Sequence, residues 1–167
     1  MTPPNTARLT FREPTRADAV FMLALLNSSG FIENIADRGI RTEAAAADYI
    51  DQRLLDSFRH NGFGMWIVTP IGEEEPVGLA GLVRRYVLEH VDVGYAFLER
   101  AFGRGYATEA AAAVLAHARK TLALDPVVAI TTRGNAASQR VLEKVGLKYL
   151  GELNLPGWDG PSAYFST

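Results

Sequence analysis

Between residues 91 and 132 the chain changes its hydrophobic rhythm twice, and this constrains the fold more than any other stretch. The segment VDVGYAFL (91–98) has the alternation of a strand. After it come two glycines around an arginine, Gly103-Arg104-Gly105, and then an alanine-rich helical run from Tyr106 to Leu122 that Leu124-Asp125-Pro126 ends. VVAITT (127–132) follows, a β-branched run without alternation, the mark of a strand buried on both faces. Strand, helix and strand in succession predict a partly parallel sheet with helices on its faces.

The remaining segments extend that α/β reading. Leu9 and Phe11 alternate in a short strand ended by Pro14, and Thr15 with Asp18 forms an N-cap pair before a helix carrying Val20, Leu23 and Leu26. Residues 31–39 read as an irregular, polar segment. Thr42 caps a second helix whose Tyr49, Ile50, Leu54, Leu55 and Phe58 recur at helical spacing until Gly62. Residues 64–69 and 77–84 form a hairpin around the acidic turn Glu73–Glu75. Asn135 opens a last helix closed by Gly146, and residues 147–153 and 164–165 supply terminal strands. The prediction is one domain over residues 1–167, a mixed sheet of about seven strands flanked by about four helices.

Composition narrows the function. Seventeen Lys and Arg against nineteen Asp and Glu give a charge of −2, so no global positive field holds a nucleic acid, and only a local basic pocket fits. The absence of cysteine excludes disulfides, thiolate metal sites and a cysteine nucleophile. His60, His90 and His117 are too scattered for a metal pattern. No apolar run reaches the ~18 residues of a spanning helix, and the polar start lacks a signal peptide, so the expected setting is cytoplasmic and away from membranes.

Two segments carry chemistry. At the helix start near Gly105 the first N–H groups lack partners and attract anions; Gly103, Gly105 and Ala107 keep the approach clear, Arg104 adds charge and Thr108 a hydroxyl. The same glycines would serve a plain tight turn. A dinucleotide fingerprint would need a third glycine and an acidic end to the next strand, where Thr131, Thr132 and Arg133 stand instead, which weakens an oxidoreductase reading. In the second segment, Asn135 and Ser138 suit a capping-box variant, and both would also line the mouth of the anion site, with Arg133 and Arg140 adding charge.

Taken together, GRGYATEA, NAASQRVLEKVGL, VDVGYAFL, RLTFREPTRADA and FIENIADRG resemble the GNAT superfamily of N-acetyltransferases, nearest its Rim-like branch of ribosomal-protein N-terminal acetyltransferases. The resemblance implies a centrally splayed sheet with acetyl-CoA wedged into the gap and no metal. It implies backbone pairing of the pantetheine arm with Tyr95, Phe97 and Leu98, and diphosphate binding by N–H groups from Gly103, Arg104, Gly105, Tyr106, Ala107 and Thr108. Asn135 would contact the pantetheine region, Ser138 the thiol, and Arg140 the cofactor's charge. Two departures stand out: Phe102 replaces the loop's usual first Gln or Arg, and Leu142 occupies the place of a frequent acid tyrosine. Superfamily members are often dimers, so a homodimer is among the implied assemblies.

The implied reaction moves an acetyl group from acetyl-CoA to a primary amine, of a small molecule or a protein N-terminus, by direct attack in a ternary complex. It needs a base, and Asp92, on the face opposite Val91 and Val93, is the first candidate, with His90 and Glu89 behind it. A solvated strand position would equally suit Asp92. Glu33, Asn34, Asp37 and Arg38 are the candidate acceptor contacts, or else a local loop network. The competing reading from another class is a catalytically inactive acyl-CoA-binding or interaction module.

Overall fold

Seven strands form one sheet: β1 (Leu9–Arg12), β2 (Met65–Pro70), β3 (Gly78–Val83), β4 (Val91–Phe97), β5 (Val127–Thr132), β6 (Lys148–Leu153) and β7 (Ser162–Ser166), in the spatial order β1-β2-β3-β4-β5-β7-β6. This is the sheet of a computed structural model that describes all 167 residues. Every neighbouring pair is antiparallel except β4 and β5, which run parallel as the strand–helix–strand pattern requires. That parallel ladder is short: only Val91 with Val127 and Asp92 with Val128 are in register. Beyond them the two strands part, and the sheet opens at its centre.

Alternation along the strands sorts side chains to two cores. Trp66, Val68, Ala80, Leu82, Val91 and Val93 face one side, where they pack against α4 (Tyr106–Lys120) and α5 (Ala136–Lys144) through Ala110, Val114 and Leu142. Ile67 and Leu79 face the other side. There they meet Met22, Leu25 and Leu26 of α1 (Ala19–Leu26), Phe31 of α2 (Ser29–Asn34), and Ile50 and Leu54 of α3. α3 is one continuous helix made of Glu43–Tyr49, a π-helical stretch Ile50–Leu55, and Asp56–Asn61. It starts where Thr42 accepts the Ala45 N–H, and it ends at Gly62, whose φ is +75°. The π stretch had no signal in an unbroken helical pattern.

The helices number five, α2 being the addition. Residues 31–39 read as irregular because their polar content hides a short helix, which Ser28 caps by accepting the Phe31 N–H at 3.4 Å. At the start of α1 the expected pair is present, with the Thr15 N–H donating to the Asp18 carboxylate at 2.8 Å through a short 3-10 turn.

Leu142 lies 1% exposed against the sheet. Its truncation to alanine is expected to lower stability by about 2–5 kcal/mol, read as a lower urea midpoint with an unchanged slope. A loss under about 1 kcal/mol would show that the helix-to-sheet packing is not anchored there.

Candidate active site

The gap between β4 and β5 collects most of the residues singled out in the sequence. Leu98 donates its N–H to the Val77 carbonyl and accepts from the Ala101 N–H, and its side chain packs on the side of the sheet that faces α1. Alternation turns the backbone groups of Tyr95 and Phe97 to the opposite edge, where β5 has already diverged. Tyr95 and Phe97 thereby border the gap, while at Leu98 the N–H is committed to Val77 and the carbonyl keeps one lone pair.

At the gap's mouth the loop after β4 turns into α4. Gly103 and Gly105 take left-handed φ values of +74° and +76°, which explains why glycine flanks Arg104. The N–H groups of Gly103, Arg104, Gly105, Tyr106, Ala107 and Thr108 donate to no protein acceptor, so six consecutive donors gather at the positive end of a 15-residue helix. Phe102 is not among them. Its N–H donates to the Glu99 carbonyl, and its ring end lies against Gly30 of α2. The Arg104 side chain is exposed and leans towards Glu73 at 4.0 Å.

Sequence reasoning missed the group that braces this loop. Arg8 donates from Nη1 to the Arg104 carbonyl at 2.8 Å and from Nε to Glu109 at 2.7 Å, and its guanidinium lies 5.0 Å from the centre of the Tyr106 ring. Thr6 donates to the same Glu109 at 2.6 Å. Although burial works the other way, these hydrogen bonds hold the Glu109 carboxyl below its ordinary range. The partners are about a hundred residues apart, and no local pattern could have joined them.

Asp92 occupies the last paired position before the strands separate and is 1% exposed, which rules out the solvated reading. Arg85 donates from Nε to Oδ2 at 2.6 Å, whereas Oδ1 is buried without a partner. Burial pushes the carboxyl up to about 6, against the opposing pull of Arg85 and of the Ile130 backbone N–H. The alternative bases lie outside: the Glu89 side chain is exposed, and His90 sits 4.0 Å from it.

Across the gap, Asn135 accepts the Ser138 N–H at 3.1 Å and caps α5 as expected. Ser138 does not return the bond; its hydroxyl pairs at 2.8 Å with the Tyr95 hydroxyl, which reaches over from β4. Burial pushes the Tyr95 phenol up to about 12. Arg140 is exposed and unpaired. Of the residues considered for the acceptor, Asn34 donates to the Gly30 carbonyl, Asp37 pairs with Arg41 at 2.7 Å, and Glu33 and Arg38 are exposed without partners. α2 is joined to the loop after β4 by Ser29, which donates to Glu99 at 2.7 Å. His117 is buried edge-on against Trp66, away from these groups. No cluster of His, Asp and Glu is gathered for a metal, and no helix is long and apolar enough to cross a membrane.

Comparison with known proteins bears on this arrangement. The family described as the acetyltransferase (GNAT) domain matches residues 8–148. The Bacillus subtilis (strain 168) protein YkkB is 32% identical over 106 residues, which span 62% of this chain and 60% of that protein's length. Among solved structures, RimL, a ribosomal L7/L12 α-N-protein acetyltransferase in complex with coenzyme A, aligns with a TM-score of 0.84 at 15% identity, covering 100% of this chain and 97% of its own. The aminoglycoside acetyltransferase AAC(6')-Ib with coenzyme A aligns at 0.73 and 20% identity, covering 95% and 94%. At these identities the structural likeness establishes the shared fold.

A carboxylate at Gly105 would stand among the six free donors. Gly105→Glu is expected to abolish acetyl-CoA binding in calorimetry with a native circular dichroism spectrum. Gly105→Ala, which carries the same backbone strain without the charge, should bind more weakly yet measurably. Equal affinity for both variants would place the diphosphate elsewhere.

Proposed function

Because the chain belongs to the acetyltransferase (GNAT) domain family, whose members are acetyl-CoA-dependent acetyltransferases, we propose that it moves an acetyl group from acetyl-CoA to a primary amine by direct attack in a ternary complex. The observation that carries this reading is the alignment of an opened strand edge with six unpaired N–H groups. A pantetheine arm can pair with Tyr95 and Phe97 as an added strand, while its diphosphate meets Gly103 to Thr108. Asn135 and Arg140 would contact the cofactor along that course. Both kinds of acceptor named by the structural neighbours, a protein α-amine and an aminoglycoside amine, fit a site built this way.

Three tasks fall to residues of this chain. Binding donor and amine together removes orientational entropy from the reaction. N–H groups along the β4 edge polarise the thioester carbonyl. Asp92 takes the proton that the attacking nitrogen loses, directly or through a water, and Ser138 donates a hydrogen bond to the departing sulfur. In the strand alternation Asp92 and Tyr95 project to opposite faces, so the amine enters from one side of the sheet and the sulfur leaves towards the other. Glu33 and Arg38 are free to meet an acceptor; Asn34 and Asp37 would have to exchange their present partners.

A thiol-release assay with a panel of small amines and peptides bearing free N-termini tests the proposal. Binding of acetyl-CoA without release for any amine would instead support an inactive acyl-CoA-binding module. Asp92 works only when ionised, so the rate should rise with pH through about 6. Asp92→Asn should reduce kcat by about 10²–10⁴-fold with near-normal acetyl-CoA affinity. Removing the Arg85 charge disfavours the carboxylate, so Arg85→Ala should move the acidic limb to higher pH. A limb that stays in place would show that another group titrates.

A further inference from the structure

Side chains of β4 make two polar links. Asp92 meets Arg85, and Tyr95 crosses the gap, its hydroxyl lying 2.8 Å from Ser138 Oγ, where either oxygen can be the donor, and 3.1 Å from the Ser138 carbonyl. Ser138 sits in the first turn of α5, with its N–H already committed to Asn135. Its hydroxyl carries one proton and two lone pairs, and in isolation it rotates freely among the acceptors in reach. The phenol's single proton can go to the Ser138 carbonyl or to Oγ, and in the arrangement where it goes to Oγ it fixes that rotor and leaves the serine proton to point into the gap. A hydroxyl that accepts a hydrogen bond also becomes a stronger donor.

We propose that Tyr95 is a positioning residue for the acetyl-transfer step, holding the Ser138 hydroxyl as a hydrogen-bond donor aimed at the sulfur that leaves as the thioester breaks. The inference rests on the acetyltransferase reading given above. In the step, the amine nitrogen attacks the thioester carbon, the C–S bond breaks, and the sulfur departs with the electron pair. The proton lost by nitrogen goes to Asp92. The developing thiolate accepts the hydrogen bond from Ser138 Oγ, whose own lone pair accepts from Tyr95. No proton need leave either hydroxyl, because a thiol with an ordinary pKa of about 8.5 is a competent leaving group as the anion. What the pair supplies is a directed dipole where charge appears. The buried phenol keeps its proton throughout the neutral range, so it remains a donor. Leu142, one turn further along α5, is apolar and packed into the core, so that position offers the sulfur no donor.

The test uses coenzyme A itself and needs no knowledge of the acceptor. Calorimetry first measures coenzyme A binding; then the bound thiol is titrated by its ultraviolet thiolate absorbance in the wild type, Tyr95→Phe, Ser138→Ala and the double variant. The wild type should hold the bound thiol at a lower pKa than either single variant. Tyr95→Phe should add nothing in the Ser138→Ala background, and with an amine found by the panel it should lower kcat about tenfold with KM for acetyl-CoA unchanged. A phenol that merely ties the two walls would lower thermal stability and affinity but leave the thiol titration where it is, and that outcome overturns the proposal. An added effect of Tyr95→Phe in the double variant does the same. Should Tyr95→Phe fail to fold, an unshifted thiol in Ser138→Ala overturns it on its own. If coenzyme A does not bind the wild type at all, the acetyltransferase reading falls first and this inference with it.

Discussion

The early end of the parallel ladder between β4 and β5 is the constraint on which the rest depends. A sheet interior normally satisfies every backbone donor and acceptor, and an open seam leaves such groups without partners. Here the seam starts after Asp92 and Val128 and is bounded by chain that cannot simply close it. β4 is held on its other edge by six register pairs with β3, and β5 by five with β7. The opening is therefore a property of the whole sheet. It follows that a ligand able to pair like a strand gains hydrogen bonds that the protein has left unmade.

The loop end of the seam is braced from a distance. Two left-handed glycines make the loop after β4 possible, yet they also make it soft, since glycine loses more conformational freedom on ordering than other residues. Arg8 offsets this by holding the Arg104 carbonyl, and Thr6 and Glu109 hold Arg8 in turn. Glu109 would by itself oppose an anion at the start of α4. Paired with a guanidinium at 2.6 Å, it becomes an anchor with little net field. The amino-terminal segment thus belongs to the site as much as the loop does.

Periodicity made the strands and the long helices legible, because burial on a sheet or helix face leaves a regular mark in the sequence. β5 fell on the residues read from its β-branched run, and Asn135 capped the last helix as its chemistry suggests. What periodicity could not show was anything set by contacts between distant segments. The sequence placed Asp92 on the correct face but could not show that Arg85 and burial would enclose it. Ser138 looked like a capping partner until Tyr95, 43 residues earlier, engaged its hydroxyl. α2 escaped notice because six residues are too few to display a helical period.

The placement of polar groups on the two faces of the sheet follows from a single strand. Asp92 and Tyr95 are three positions apart on β4, and an odd separation in a strand always sends two side chains to opposite faces. A slip of one residue in the β3–β4 register would exchange those faces, putting the carboxylate among Val114 and Leu115 and the phenol towards α1. The burial of Val91 and Val93 on one side and the partial burial of Ala96 on the other make that slip costly. The apolar pattern that stabilises the sheet is therefore also what keeps the Asp92 carboxylate and the Tyr95–Ser138 hydroxyl pair on separate faces. The geometry of the candidate site depends on register, and register is enforced by apolar residues of the two cores.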